Sequence, residues 1–144
     1  MRTLSPLINI AATAWAAFST ASAQVSQAAA ESILTDKTLV VWAAPANLTQ
    51  RGGSVLTIED GREHFDAIVF GELAPSKWMA GSDFFRRTPK DQAGFPTETA
   101  DAKTFVQIAT VYAGKTVTVF RDGRQYSQHT MAKIYILILR INCK

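Results

Sequence analysis

The chain has 144 residues, 47% of them hydrophobic and 19% charged, and a net charge of +3 at pH 7. That length suits one domain and not two. The charge is too small and too evenly mixed to argue for a nucleic-acid partner. Cys143 is the only cysteine, which leaves no internal disulfide and no cysteine-based zinc site.

The opening "MRTLSPLINIAATAWAAFSTASAQ" has one basic residue, Arg2, then an apolar run from Leu7 to Phe18 and small residues up to Ala21-Ser22-Ala23. This is the layout of a secretory signal peptide over residues 1–23, cleaved before Gln24. The run is short and interrupted by Asn9 and Thr13, whereas a membrane-spanning helix needs roughly 20 mostly apolar residues. The expected product is secreted, periplasmic or held at a bacterial cell surface, with no membrane partner after cleavage. Its 121 residues keep 14 of the 15 basic side chains against all 12 acidic ones. A domain of this size must be held by its apolar core.

Residues 24–35, "QVSQAAAESILT", read as a linker or a short helix. From Lys37 onward the pattern changes to short runs of β-branched and aromatic residues separated by Gly, Pro and Asp. "TLVVWAA" (38–44), "SVLTI" (54–58), "DAIVFG" (66–71) and "KWMAGS" (77–82) predict strands of an all-β sandwich or barrel. Trp42, within an apolar strand, is expected in the core. The stretch 83–103, with Pro89, Gly94 and Pro96, predicts a long surface loop, either functional or a crossover between sheets.

A three-strand meander follows. In "TFVQIATVY" (104–112), Val106, Ile108, Thr110 and Tyr112 fall on one face by the two-residue period of a strand. A turn at Ala113-Gly114 leads into "KTVTVFR" (115–121). Asp122-Gly123 is a two-residue type I′ hairpin dipeptide, and "RQYSQHT" (124–130) returns. The chain then ends on "MAKIYILILRINCK", in which Ile134–Leu139 is apolar throughout.

"FVQIATVYAGKTVTVFRDGRQY" resembles the central meander of laminin G-like, or concanavalin A-like, jelly-roll modules. Ala109, Tyr112, Val117, Thr118, Phe120 and Gly123 stand in the family's "xxAxxY" and "VTxYxxG" places, with Phe120 where Tyr is more usual. The opening "TLVVWAAPANLTQRGGSVLTI" is similar to the family's first strands. "FDAIVFGELAP" and "KWMAGSDFFRRT" resemble a subgroup appended to secreted bacterial glycoside hydrolases, with the family 32 β-fructosidases foremost. The resemblance covers residues 36–131 and implies a non-catalytic jelly-roll module, accessory to a glycoside hydrolase and carbohydrate-binding. A structural or protein-interaction module without a sugar site is the alternative. So is a fragment of a family 32 glycosidase whose catalytic domain is missing. The family's complete module carries further strands after the meander. Residues 132–144 are therefore either one closing strand or the atypical end of a truncated, frame-shifted module.

Residue chemistry gives few sites. A glycosidase needs two carboxyl groups flanking the scissile bond. The nearest cluster, Glu59, Asp60, Glu63 and Asp66, surrounds the turn dipeptide Asp60-Gly61 and reads as a solvated turn. An enzymatic reading would rest on a pair among Glu59, Glu63 and Asp66. His64 and His129 belong to no nucleophile motif and are too few for a three-histidine metal site. Jelly-roll modules of this kind can carry calcium, for which Asp60, Asp66 and Asp83 offer oxygens without ligand-loop spacing. Sugars stack on aromatic side chains and take hydrogen bonds from polar neighbours. Trp78, Phe84, Arg86 and Arg87, at the edge of the long loop, are the predicted carbohydrate contacts, with core packing the other reading of Trp78.

Overall fold

The computed structural model describes residues 30–141. Nine strands appear in it: β1 (Ala30–Leu34), β2 (Lys37–Ala43), β3 (Ser54–Glu59), β4 (Phe65–Phe70), β5 (Trp78–Ser82), β6 (Val106–Ala113), β7 (Thr116–Arg121), β8 (Arg124–Thr130) and β9 (Leu137–Ile141). A single 3₁₀ turn, Asp83–Phe85, follows β5. The described part is all-β, and every strand pairing is antiparallel. The proposed signal peptide and Cys143 lie outside the described residues.

Two sheets face each other, one in the order β2-β6-β7-β8 and the other β3-β4-β5. β2 lies over β3, β6 over β4 and β7 over β5. Alternation fills the space between them. Val106, Ile108 and Tyr112 of β6 and Val117 and Val119 of β7 meet Ile68 and Phe70 of β4 and Trp78 and Ala80 of β5. Phe70 and Trp78 are register partners whose rings lie 4.6 Å apart. Each such large apolar side chain contributes about 1.5–3 kcal/mol by leaving water. The opposite face of β4 and β5 is buried as well, with Ala67, Val69 and Met79 under Phe65, Leu73 and Phe85.

The meander forms as its alternation and turn residues dictate. Asp122 and Gly123 both take positive φ, 47° and 75°, as a type I′ turn requires. Asp122 also locks the register, its carboxylate accepting the Gln107 N–H at 2.8 Å. The inner side of β8 meets the start of β5, where Tyr126 Oη accepts the Trp78 N–H at 3.1 Å, and the loop after the 3₁₀ turn covers the rest of Tyr126. Tyr126 of β8 donates its hydroxyl to Pro96 O at 2.5 Å and packs edge-on against Phe95, 5.8 Å away.

Three expectations change. The stretch that reads as a linker or short helix contains β1, which pairs with β9, Leu34 opposite Leu137. The apolar tail forms its strand three residues late, with Ile134 and Ile136 exposed and Leu137 buried. Trp42 is not in the core but 61% exposed. Its phase along β2 matches Thr38 and Val40 on the outer face, while Leu39, Val41 and Ala43 point inward. A run that is apolar on both faces does not reveal from sequence which face is inner.

Candidate functional site

The region after β5 brings together most of the buried charge. Asp66 sits on the inward face of β4 and Lys37 begins β2, so the two sheets carry them toward each other. Lys37 Nζ lies 2.9 Å from Asp66 Oδ2 and 4.4 Å above the Tyr112 ring. Arg87 completes the cluster. Its Nε donates to Asp66 Oδ1 at 2.7 Å, and its Nη2 donates to Asp83 Oδ1 at 2.6 Å and to Phe65 O at 2.5 Å. Two cations balance two carboxylates, as charges taken from water require. Burial would lower the Arg87 pKa, but Asp66 and Asp83 together hold it above the usual arginine value. Burial raises the Tyr112 phenol, and the neighbouring Asp66 charge raises it further.

The backbone around Arg87 is equally fixed. Ser82 Oγ accepts the Arg87 N–H at 2.9 Å, and Thr88 Oγ1 donates to Ala80 O at 2.7 Å. His129 Nε2 lies 2.8 Å from Arg87 O, where only a protonated nitrogen can donate. Burial holds the His129 pKa below its ordinary value, against that hydrogen bond.

Between these anchors the chain takes an unusual path. Phe84 (φ 48°) and Phe85 (φ 54°) are consecutive non-glycine residues in the left-handed region, a conformation costing on the order of 1–3 kcal/mol each. The reversal turns Phe85 down onto Ala67, Val69 and Met79 and leaves Phe84 73% exposed. Arg86, half exposed, places its guanidinium 5.1 Å from the Phe84 ring centroid, with Asp83 Oδ2 3.3 Å from its Nη1. An aromatic face and a guanidinium thus share one exposed tip on a buried ionic anchor.

Of the four predicted carbohydrate contacts, Phe84 and Arg86 meet at this tip. Trp78 and Arg87 do not reach the surface, which corrects their assignment. The Trp78 indole is fully buried and donates Nε1–H to Glu98 Oε2 at 2.8 Å. Glu98, whose signal is invisible in the small polar run "PTETADAK", also accepts both Arg121 Nε and Nη2, at 2.8 and 2.9 Å. Its Oε1 takes the N–H groups of Thr99 and Ala100. Burial alone would raise the Glu98 carboxyl, but the hydrogen bonds from Arg121, Ala100 N–H and Trp78 bring it down to about 2.

The acidic turn divides in the same way. Glu59, Asp60 and Glu63 surround the bend, beside an open depression of about 290 Å³ lined by Glu59, Asp60, Gly61 and Arg62. Asp60 accepts from Arg62 N–H at 2.8 Å and pairs with His64 Nδ1 at 2.9 Å. Asp66 is not part of this solvated turn, since it is buried inside the sandwich. Among the described residues no three His, Cys, Asp or Glu side chains converge as a metal site. The calcium donors considered from sequence do not fit one ion. Asp66 and Asp83 face a guanidinium, and Asp60 faces His64 instead.

Fold and site together define an all-β protein of two packed antiparallel sheets with an anchored, exposed aromatic–cationic tip. No family model matches the chain, and no curated protein or solved structure matches it significantly.

Proposed function

We propose that this chain is a non-catalytic, exported accessory module of concanavalin A-like jelly-roll type that binds carbohydrate for a secreted glycoside hydrolase. The observation carrying this reading is the Phe84–Arg86 tip. A flat aromatic ring is held in a strained backbone conformation, exposed, with a guanidinium beside it and a buried ion-pair cluster fixing both ends. Strain at a surface residue that the core over-determines is the pattern of ligand clamps. Preorganisation of this kind lowers the entropic cost of binding. An aromatic face next to directional donors suits the apolar face and hydroxyls of a sugar ring. The buried carboxylates Asp66, Asp83 and Glu98 are each tied to a cation, so they support the fold and not a pair of hydrolytic groups. The jelly-roll assignment rests on the resemblance of residues 36–131, and the packed antiparallel sheets are compatible with it.

Titrating the protein with β-fructan oligosaccharides, by calorimetry, tests the reading. Saturable binding is expected, weakened about tenfold by Arg86→Ala, the loss of one charge-assisted contact. A folded protein that binds no polysaccharide contradicts it. The second reading, a structural module without a sugar site, is favoured by the burial of Trp78 and Arg87 and would then stand.

A further inference from the structure

The four-stranded sheet ends on β2, which pairs only with β6 among the described residues. Its other side presents alternate backbone N–H and C=O groups with no strand among the described residues to receive them. Sheets blunt such an edge with charged side chains, proline, bulges or very short strands. From Thr38 to Ala43, β2 has none of these. It is regular, seven residues long, and bounded only by Asp36 before it and Pro45 after it. Its one charged residue, Lys37, is turned inward onto Asp66. Along the same edge Thr38, Val40 and Trp42 are exposed. The adjoining outer face continues with Gln107, Ala109 and Val111 of β6 and Thr116, Thr118 and Phe120 of β7 and carries no ionisable side chain on either strand, since Arg121, opposite Ile108, turns inward to Glu98.

The geometry points to self-association of this chain through β2, as an isologous dimer in which two copies of β2 pair antiparallel about a two-fold axis at Val40. The sequence of β2 is self-complementary in that register. Val40 meets Val40 of the second copy, and Trp42 meets Thr38 in both directions on the outer face. Leu39 meets Val41 on the inner face, and Lys37 meets Ala43 at the ends. Every outer pair is uncharged, the most exposed aromatic of the edge gains a cross-strand neighbour, and the pairing closes on itself as a two-fold contact. Two four-stranded sheets become one of eight strands. β2 lies over β3 and the Phe84 tip follows β5, at the opposite side of the three-stranded sheet. Dimerisation therefore leaves both tips free, and a polymeric ligand meets two of them at once.

Sedimentation velocity of the full chain over a wide concentration range, read alongside Trp42 emission, tests this. A reversible monomer–dimer equilibrium is expected, with emission shifting to the blue as dimer forms. Val40→Lys and Val40→Glu, each at an exposed position, place like charges across the axis and weaken dimerisation by at least about tenfold. An equal mixture of the two variants restores the dimer through opposite charges. A wild-type chain that stays monomeric, or assembles beyond a dimer, overturns the proposal. So does a dimer that Val40→Lys leaves intact, or a mixture of folded variants that fails to associate.

Discussion

Replacing Arg87 by Met keeps most of its volume and removes the guanidinium that joins β4 to the 3₁₀ turn. Among the described residues, Asp66 then retains only Lys37, and Asp83, itself buried, retains only the half-exposed Arg86 at 3.3 Å. Breaking a buried ion pair from one side costs about 3–5 kcal/mol, because the other charge stays desolvated. Domains of this size have about 5–15 kcal/mol in total. Arg87→Met should therefore remove about a fifth of the stability or more. Urea unfolding followed by tryptophan fluorescence at pH 7 reads this as a lower midpoint with an unchanged slope. Asp83→Asn separates the pair from the packing. The double variant should cost about 2 kcal/mol less than the sum of the singles, since a neutral amide in place of the Asp83 carboxylate leaves no charge unpaired there. A loss below about 1 kcal/mol for Arg87→Met, or strict additivity with Asp83→Asn, would refute the argument that this cluster anchors the loop.

Other positions test the same account. Glu98 is held well below its unfolded pKa of 4.5, so its contribution is complete above that value and is lost as pH falls from 4.5 toward about 2. Glu98→Gln should lower stability at pH 7 by on the order of 2 kcal/mol and flatten the acid limb of a plot of stability against pH; an unchanged acid limb counts against the assignment. Gly71 (φ 76°) has the Gln50 carbonyl oxygen 2.3 Å from where a Cβ would stand. Gly71→Ala should cost about 3 kcal/mol or more, whereas Gly94→Ala, which meets nothing within 4 Å, should leave the thermal midpoint nearly unchanged.

The meander is the most legible part of the sequence because two independent signals coincide there. Strict alternation from Val106 to Tyr112 sets the inner face, and Asp122-Gly123 allows one hairpin geometry. β2 is legible as a strand but not in its facing, since Val40, Val41 and Trp42 give no polar side to orient it. β1 and β9 escape a local reading because each needs the other as partner, and their pairing joins the two ends of the described chain. The site is least legible. Asp66, Asp83, Arg87 and Glu98 are the residue types of a solvated loop, and only the three-dimensional path turns them inward. Phe84 and Arg86 stand out because an aromatic beside a cation at a loop edge is visible as such. Trp78 loses its place at the surface to a bond with Glu98, whose role no local pattern announces.

Phe84→Gly puts the central claim to one test, because stability and binding should move in opposite directions. Glycine takes the left-handed conformation freely, and Phe84 is mostly exposed, so the variant should gain about 1 kcal/mol against unfolding. The same change removes the aromatic face, so fructan binding measured by calorimetry on that variant should be lost. A variant that is more stable and still binds as the wild type would contradict the placement of the ligand at this tip. One that is destabilised would contradict the view that the core holds Phe84 in strain for a surface role.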